Sequence, residues 1–154
     1  MSTKFWIASA GMCILTLTLV AAESPFAGTW KLNPSKSTLE GGLASTATVR
    51  IEPDGSGLKI SVESVNAQGQ PVNFTYQATL DGKSVKVTGS PTADETSTRR
   101  VNSHTYTATG MKNGKVVFVD RRTVSKDGKT MTISRNGTDG EGKPFHATMV
   151  FDKQ

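Results

Sequence analysis

Few residues in this chain have both the type and the setting to do chemistry. The two imidazoles, His104 and His146, stand alone, without the Cys, His or carboxylate neighbours at short spacing that a zinc site uses. Each is read as a surface residue of a strand. Acidic residues gather in turns, at Asp54, Asp81, Asp127 and Asp139, where their side chains serve turn geometry. Glu63 and Asp120 fall in mid-strand, yet no base, nucleophile and orienting group can be assembled around them. Serines are plentiful, with none in a Gly-x-Ser-x-Gly elbow. An enzyme would need one pocket gathering Glu63, Asp120, His104 or Arg135. The expectation is no enzyme, no cofactor and no metal.

The basic residues argue against a polyanionic partner. The formal charge of the 154-residue chain is +5, spread over turn lysines such as Lys83, Lys115, Lys129 and Lys143. Arg99-Arg100 and Arg121-Arg122 are the adjacent pairs, and consecutive strand residues point to opposite faces, so neither pair makes a stripe. Nucleic acid is excluded as a partner.

Residues 1–22, MSTKFWIASAGMCILTLTLVAA, have the layout of a secretory signal peptide. Lys4 gives the positive start, Phe5 to Val20 the apolar stretch, and Val20-Ala21-Ala22 the small residues before a cut at Glu23. A spanning helix needs about 20 apolar residues, and this run is shorter and broken by Ser, Gly and Thr. Cys13 follows Met12 where a lipoprotein signal wants a small residue, so it belongs to the leader. The product is expected to be exported, to the periplasm or beyond, as one domain over residues 23–154. That domain has no Cys, hence no disulfide, and must rest on its own core.

The elements that would position any site are strands. Short runs of Val, Ile, Thr, Phe and Tyr alternate with Gly turns: PDGSG, NAQGQP, LDGK, GSP, KNGK, KDGK and DGEGKP. Asp-Gly and Asn-Gly favour tight hairpins, because both central residues of a type I′ turn need positive φ. The spacing predicts about nine strands, over 26–32, 46–52, 58–65, 72–80, 83–88, 97–109, 115–124, 130–136 and 145–152. Any helical turn belongs inside SKSTLEGGLAS. Residues 90–98, SPTADETST, read as a mobile loop at the rim of a barrel mouth. Val72, Phe74, Tyr76, Ala78 and Leu80 face one way and their neighbours the other, as do Phe145, Ala147, Met149 and Phe151.

An antiparallel meander of this kind closes most simply into an up-and-down β-barrel of about 8–10 strands, which removes exposed edges. The alternative is a β-sandwich. A weak internal repeat at an offset of 73 places residues 49–80 on 122–153, with matches such as Asp54/Asp127, Ile60/Ile133 and Pro71/Pro144. Each copy reads as the same three-strand meander.

Phe26, Gly28, Trp30 and Leu32 share the dry face of the first strand, with Trp30 the large anchor and Gly28 leaving room beside it. FAGTWKL resembles the opening strand of the lipocalin and fatty-acid-binding superfamily. With PDGSGLKI, SKDGKTMTI and GTDGEGKPF, it resembles small secreted lipocalin-like proteins of bacteria. The resemblance implies that Trp30 plugs the closed end of a barrel, covered by an Arg from a late strand. Arg135 is the candidate, with Arg121 or Arg122 behind it. Residues 33–45 are too few and too Gly-rich for the helix pair of the fatty-acid-binding proteins. Their ligand-holding Arg-x-Tyr is replaced here by Met149 and Phe151.

A ligand is therefore expected to be largely apolar, and either neutral or held by another Arg. Its candidate lining is Ile60, Val62, Phe74, Tyr76, Phe118, Met149 and Phe151. The alternative is a packed barrel without ligand, acting through its surface on the envelope or a partner protein. Oligomeric state is not fixed by the sequence.

Overall fold

Each strand forms where β-branched and aromatic residues alternate with polar ones, and most end where the chain must turn through positive φ. The computed structural model describes residues 23–154; the expected signal peptide lies outside the described residues. The strands are β1 Gly28–Leu32, β2 Thr46–Asp54, β3 Gly57–Val65, β4 Pro71–Ala78, β5 Asp81–Lys86, β6 Glu95–Asn102, β7 Thr105–Lys112, β8 Lys115–Val124, β9 Thr130–Thr138 and β10 Pro144–Lys153. The helical element among the described residues is a 3-10 turn at Pro34–Lys36. In the β7–β8 hairpin, Asn113 and Gly114 take φ of 51° and 74°, the positive values that a type I′ turn demands.

The single strand expected over 97–109 is corrected to two, β6 and β7. The chain reverses at Ser103-His104, where the Asn102 side chain accepts the His104 backbone N–H at 2.9 Å. No Gly or Pro marks this turn, so the side-chain bond does what a turn dipeptide does elsewhere. The polar stretch 90–98 is likewise corrected: from Glu95 onward it is β6. The repeat corresponds to real elements, since β3 and β9 are both nine residues long and begin at Gly57 and Thr130, the 73-residue offset.

The strands form one sheet in the order β4-β3-β2-β1-β10-β9-β8-β7-β6-β5. β1 bonds to both β2 and β10, so the two ends of the domain are stitched together. The result is an all-β, nearly closed antiparallel up-and-down barrel; the sandwich is not adopted. The free edges are β4 and β5; across the gap, Thr75 of β4 makes a single bridge to Thr88, two residues beyond the end of β5. Between them the chain passes Leu80 at φ 62°, a costly conformation for a branched side chain, and Leu80 is only 9% exposed. Burying Leu80 offsets that strain and swings β5 away before it can ladder onto β4.

One end is plugged. Trp30 is fully buried, its Nε1–H donates to the Phe26 carbonyl at 2.8 Å, and the Phe26 ring stacks on Tyr106 at 4.1 Å. The cation at the Trp30 ring is Lys153, whose Nζ lies 5.2 Å from the ring centre. Gly28, at φ 128°, gives that side chain its path, since a Cβ there would sit 2.7 Å from Lys153 Cε. The room beside Trp30 thus admits a lysine stem rather than backbone. Arg135, expected over Trp30, is elsewhere. It lies on β9 five residues beyond Thr130, which pairs with Asp152, and at ~3.3 Å per residue that is about 16 Å from the plugged end.

Candidate functional site

Strand parity builds the site. Along β8, Phe118, Asp120, Arg122 and Val124 point into the barrel; along β9, Met131, Ile133 and Arg135 do the same. The register sets Asp120 directly opposite Arg135, so their side chains meet on the inner face. Arg135 grips the carboxylate with two bonds, Nε to Oδ1 at 2.7 Å and Nη2 to Oδ2 at 2.9 Å. Arg122 adds Nη2 to Oδ2 at 3.0 Å and donates through Nη1 to the Tyr76 hydroxyl at 3.2 Å, reaching across to β4. The Arg135 guanidinium also lies 3.8 Å over the Phe118 ring, a favourable cation–π position.

The charges are held against an unfavourable medium. Asp120 is fully buried, and burial alone would raise its carboxyl; the Arg135 and Arg122 guanidiniums outweigh it and hold the group below its ordinary value. Arg122 has the same balance in reverse. Burial works against its charge, but the Tyr76 oxygen and the Asp120 carboxylate push its pKa up, so it stays a cation. Two guanidiniums therefore share one carboxylate. Arg122 Nε is buried with no partner of its own.

Beside this cluster lies a cavity of about 210 Å³. All seven residues named as candidate lining, Ile60, Val62, Phe74, Tyr76, Phe118, Met149 and Phe151, are in its wall, and Arg122 and Arg135 join them. Its mouth is framed by Gly42 to Ala44, by Asn66 of the β3–β4 turn, and by Ser90 to Ala93 ahead of β6. The 90–93 part of the polar stretch is thus at the rim. The Phe118 ring keeps its place because residue 110 has no side chain: a Cβ on Gly110 would sit 2.2 Å from two Phe118 ring atoms. Gly110→Ala should expel that ring from beneath Arg135 and cost about 1–3 kcal/mol, as overpacking does. A urea midpoint unchanged from wild type would contradict this packing.

The other reactive candidates are not brought together. Glu63 is exposed on β3, His104 sits in the β6–β7 turn bonded to Ser103, and His146 is exposed with Nδ1 3.0 Å from Asn136 Oδ1. Among the described residues no group of three His, Cys, Asp or Glu is placed to hold a metal. Arg121, named behind Arg135 for the Trp30 role, is exposed on the outside of β8. Arg122 and Asp120 are the site residues whose role the sequence reading missed. Their signal was parity: both share the inner face of β8 with Phe118 and Val124, where an apolar residue is the rule.

No protein-family model matches the sequence, and no curated protein sequence matches it. Solved structures with a similar fold include a zebrafish ileal bile acid-binding protein complexed with cholic acid, at 10% identity and TM-score 0.49 over 85% of this chain and 100% of that one. Another is a redesigned β-barrel, mFAP1, bound to DFHBI, at 14% identity and TM-score 0.47 over 84% of this chain and 95% of that one.

Proposed function

We propose that the chain is an exported, lipocalin-like barrel that holds a small, largely apolar molecule inside it. The cavity carries this reading. Protein interiors are packed like organic crystals, with few voids larger than a water molecule. A space of about 210 Å³, walled by Ile60, Val62, Phe74, Met149 and Phe151 and open between three loops, is not what a filled barrel leaves over. An apolar void of ~150 Å³ takes up a benzene, so this one suits a molecule somewhat larger than a single ring. Support for export comes from residues 1–22, which have the layout of a secretory signal peptide. Binding rather than catalysis is favoured because Glu63 and both histidines lie outside the cavity wall.

The test uses simple probes. Toluene and 1-octanol at millimolar concentration should raise the melting temperature of the purified chain by several degrees, as ligands that bind only the native state do. Ala47→Trp, which places an indole in the cavity wall, should abolish the rise. If neither probe shifts the melting temperature, and native mass spectrometry of chain purified from its own source shows no bound mass, the binding reading fails.

A further inference from the structure

We infer that the cavity selects a monoanion, seated with its negative end against Arg122 and Arg135 and its apolar body along β3, β4 and β10. The inference rests on the binding reading above and narrows it to one charge class. Its basis is the count of charges inside the barrel. Asp120 is fully buried and satisfied: Arg135 takes both of its oxygens, and that pair is neutral by itself. Arg122 is then a second cation on the same carboxylate. The remaining polar group on it is the Tyr76 hydroxyl, which accepts one hydrogen bond.

An excess positive charge among Ile60, Ile133 and Met149 is costly unless something compensates it, because desolvated charges are stable only when paired. The two guanidiniums are still reachable from the cavity. Arg122 and Arg135 keep 14% and 13% of their side-chain surface accessible, point inward from β8 and β9, and form part of the cavity wall. Asp120 keeps none and is absent from that wall. A ligand in the cavity therefore meets the cationic side of the cluster with the carboxylate screened behind it.

This changes the expectation from Met149 and Phe151 on β10. Those residues remove one way of holding an anion, but the cation is supplied from β8 and β9 instead. A planar anionic oxygen pair, as in a carboxylate, fits the donors that remain on the two forks.

The experiment measures heats of binding of octanoate, 1-octanol and octylamine, which share a chain and differ in head-group charge, to the purified chain at pH 7. Octanoate should bind about 10-fold or more tighter than 1-octanol, as expected for hydrogen bonds to a charged group in a dry site, and octylamine should bind weakest. Arg122→Gln leaves the neutral Asp120–Arg135 pair and should bring octanoate down to the level of 1-octanol. If 1-octanol or octylamine binds as tightly as octanoate, the charge preference is wrong while the binding reading stands. If none of the three binds, both fail together. Should Arg122→Gln not fold, the three-probe ranking on wild type decides alone.

Discussion

Asp120→Ala should cost the fold about 3–5 kcal/mol, the usual loss when one partner of a buried ionic group is removed. Three charge-assisted bonds end on this carboxylate, from Arg135 Nε, Arg135 Nη2 and Arg122 Nη2. Without it, two guanidiniums face each other in an apolar interior, and each loses the group that offsets its desolvation. The loss is therefore not the worth of three hydrogen bonds; it is chiefly the cost of stranding two cations. Replacing the whole cluster separates these. Asp120→Leu, Arg122→Met and Arg135→Leu together remove the charges as a set, and such swaps are often neutral or stabilising. Urea unfolding should thus find the triple variant more stable than Asp120→Ala. The reverse order would mean the cluster contributes net stability.

The same carboxylate sets a pH dependence. Its folded pKa lies below the ordinary 3.8, so its contribution is fully present above that value and is lost as pH falls through the folded value. Asp127 and Asp152 are also lowered, Asp127 first by the Ser125 hydroxyl and Asp152 first by the Asn33 amide. Asp81 is brought to about 2, first by the Thr79 hydroxyl and then by the Lys83 backbone N–H. These act with the same sign. Wild-type melting temperature should fall below about pH 4, and the gap between wild type and Asp120→Ala should narrow there. A gap that stays constant from pH 7 to pH 2 would show that ionisation of Asp120 is not what the variant removes.

Much of this cluster was legible before any coordinates. Strand parity puts Asp120 and Arg122 on the face of Phe118 and Val124. The KDGK turn fixes how β8 meets β9: Ser125 N–H bonds to the Thr130 carbonyl and Val124 stands opposite Met131. Counting four residues outward from that pair brings Asp120 opposite Arg135. What hid the site was the assignment of Arg135 to Trp30, which the resemblance implied, in place of asking which residue of β8 stands across from it. The seven residues named as lining lie in the cavity wall, and the β-barrel followed from alternation together with the tight hairpin turns. The break between β4 and β5 did not, because it depends on Leu80 taking positive φ to reach the core, and nothing in LDGK distinguishes that from an ordinary hairpin. The size of the cavity was also illegible, since it depends on how far Phe118 leans onto Gly110.

Trp30→Ala is the other large expected effect, about 3–5 kcal/mol, the range for removing a fully buried large aromatic. The site cannot collapse around the vacancy. Trp30 is hydrogen-bonded to Phe26, Phe26 is stacked on Tyr106, and β1 is clamped between β2 and β10, so the neighbours are held by contacts of their own. A vacancy that cannot close retains its full cavity cost. Trp30→Phe should recover most of the loss, because it keeps the ring and forfeits only the bond from Nε1 and some volume. Lys153→Ala should cost little, since its ammonium lies at the rim of the plug and the residue is exposed. Trp30 is also absent from the cavity wall. Trp30→Phe should therefore bind 1-octanol with wild-type affinity while its urea midpoint falls. A Trp30→Ala loss below about 1 kcal/mol would show that the plugged end can relax. Weakened octanol binding in Trp30→Phe would show that the plug and the cavity are one packing unit.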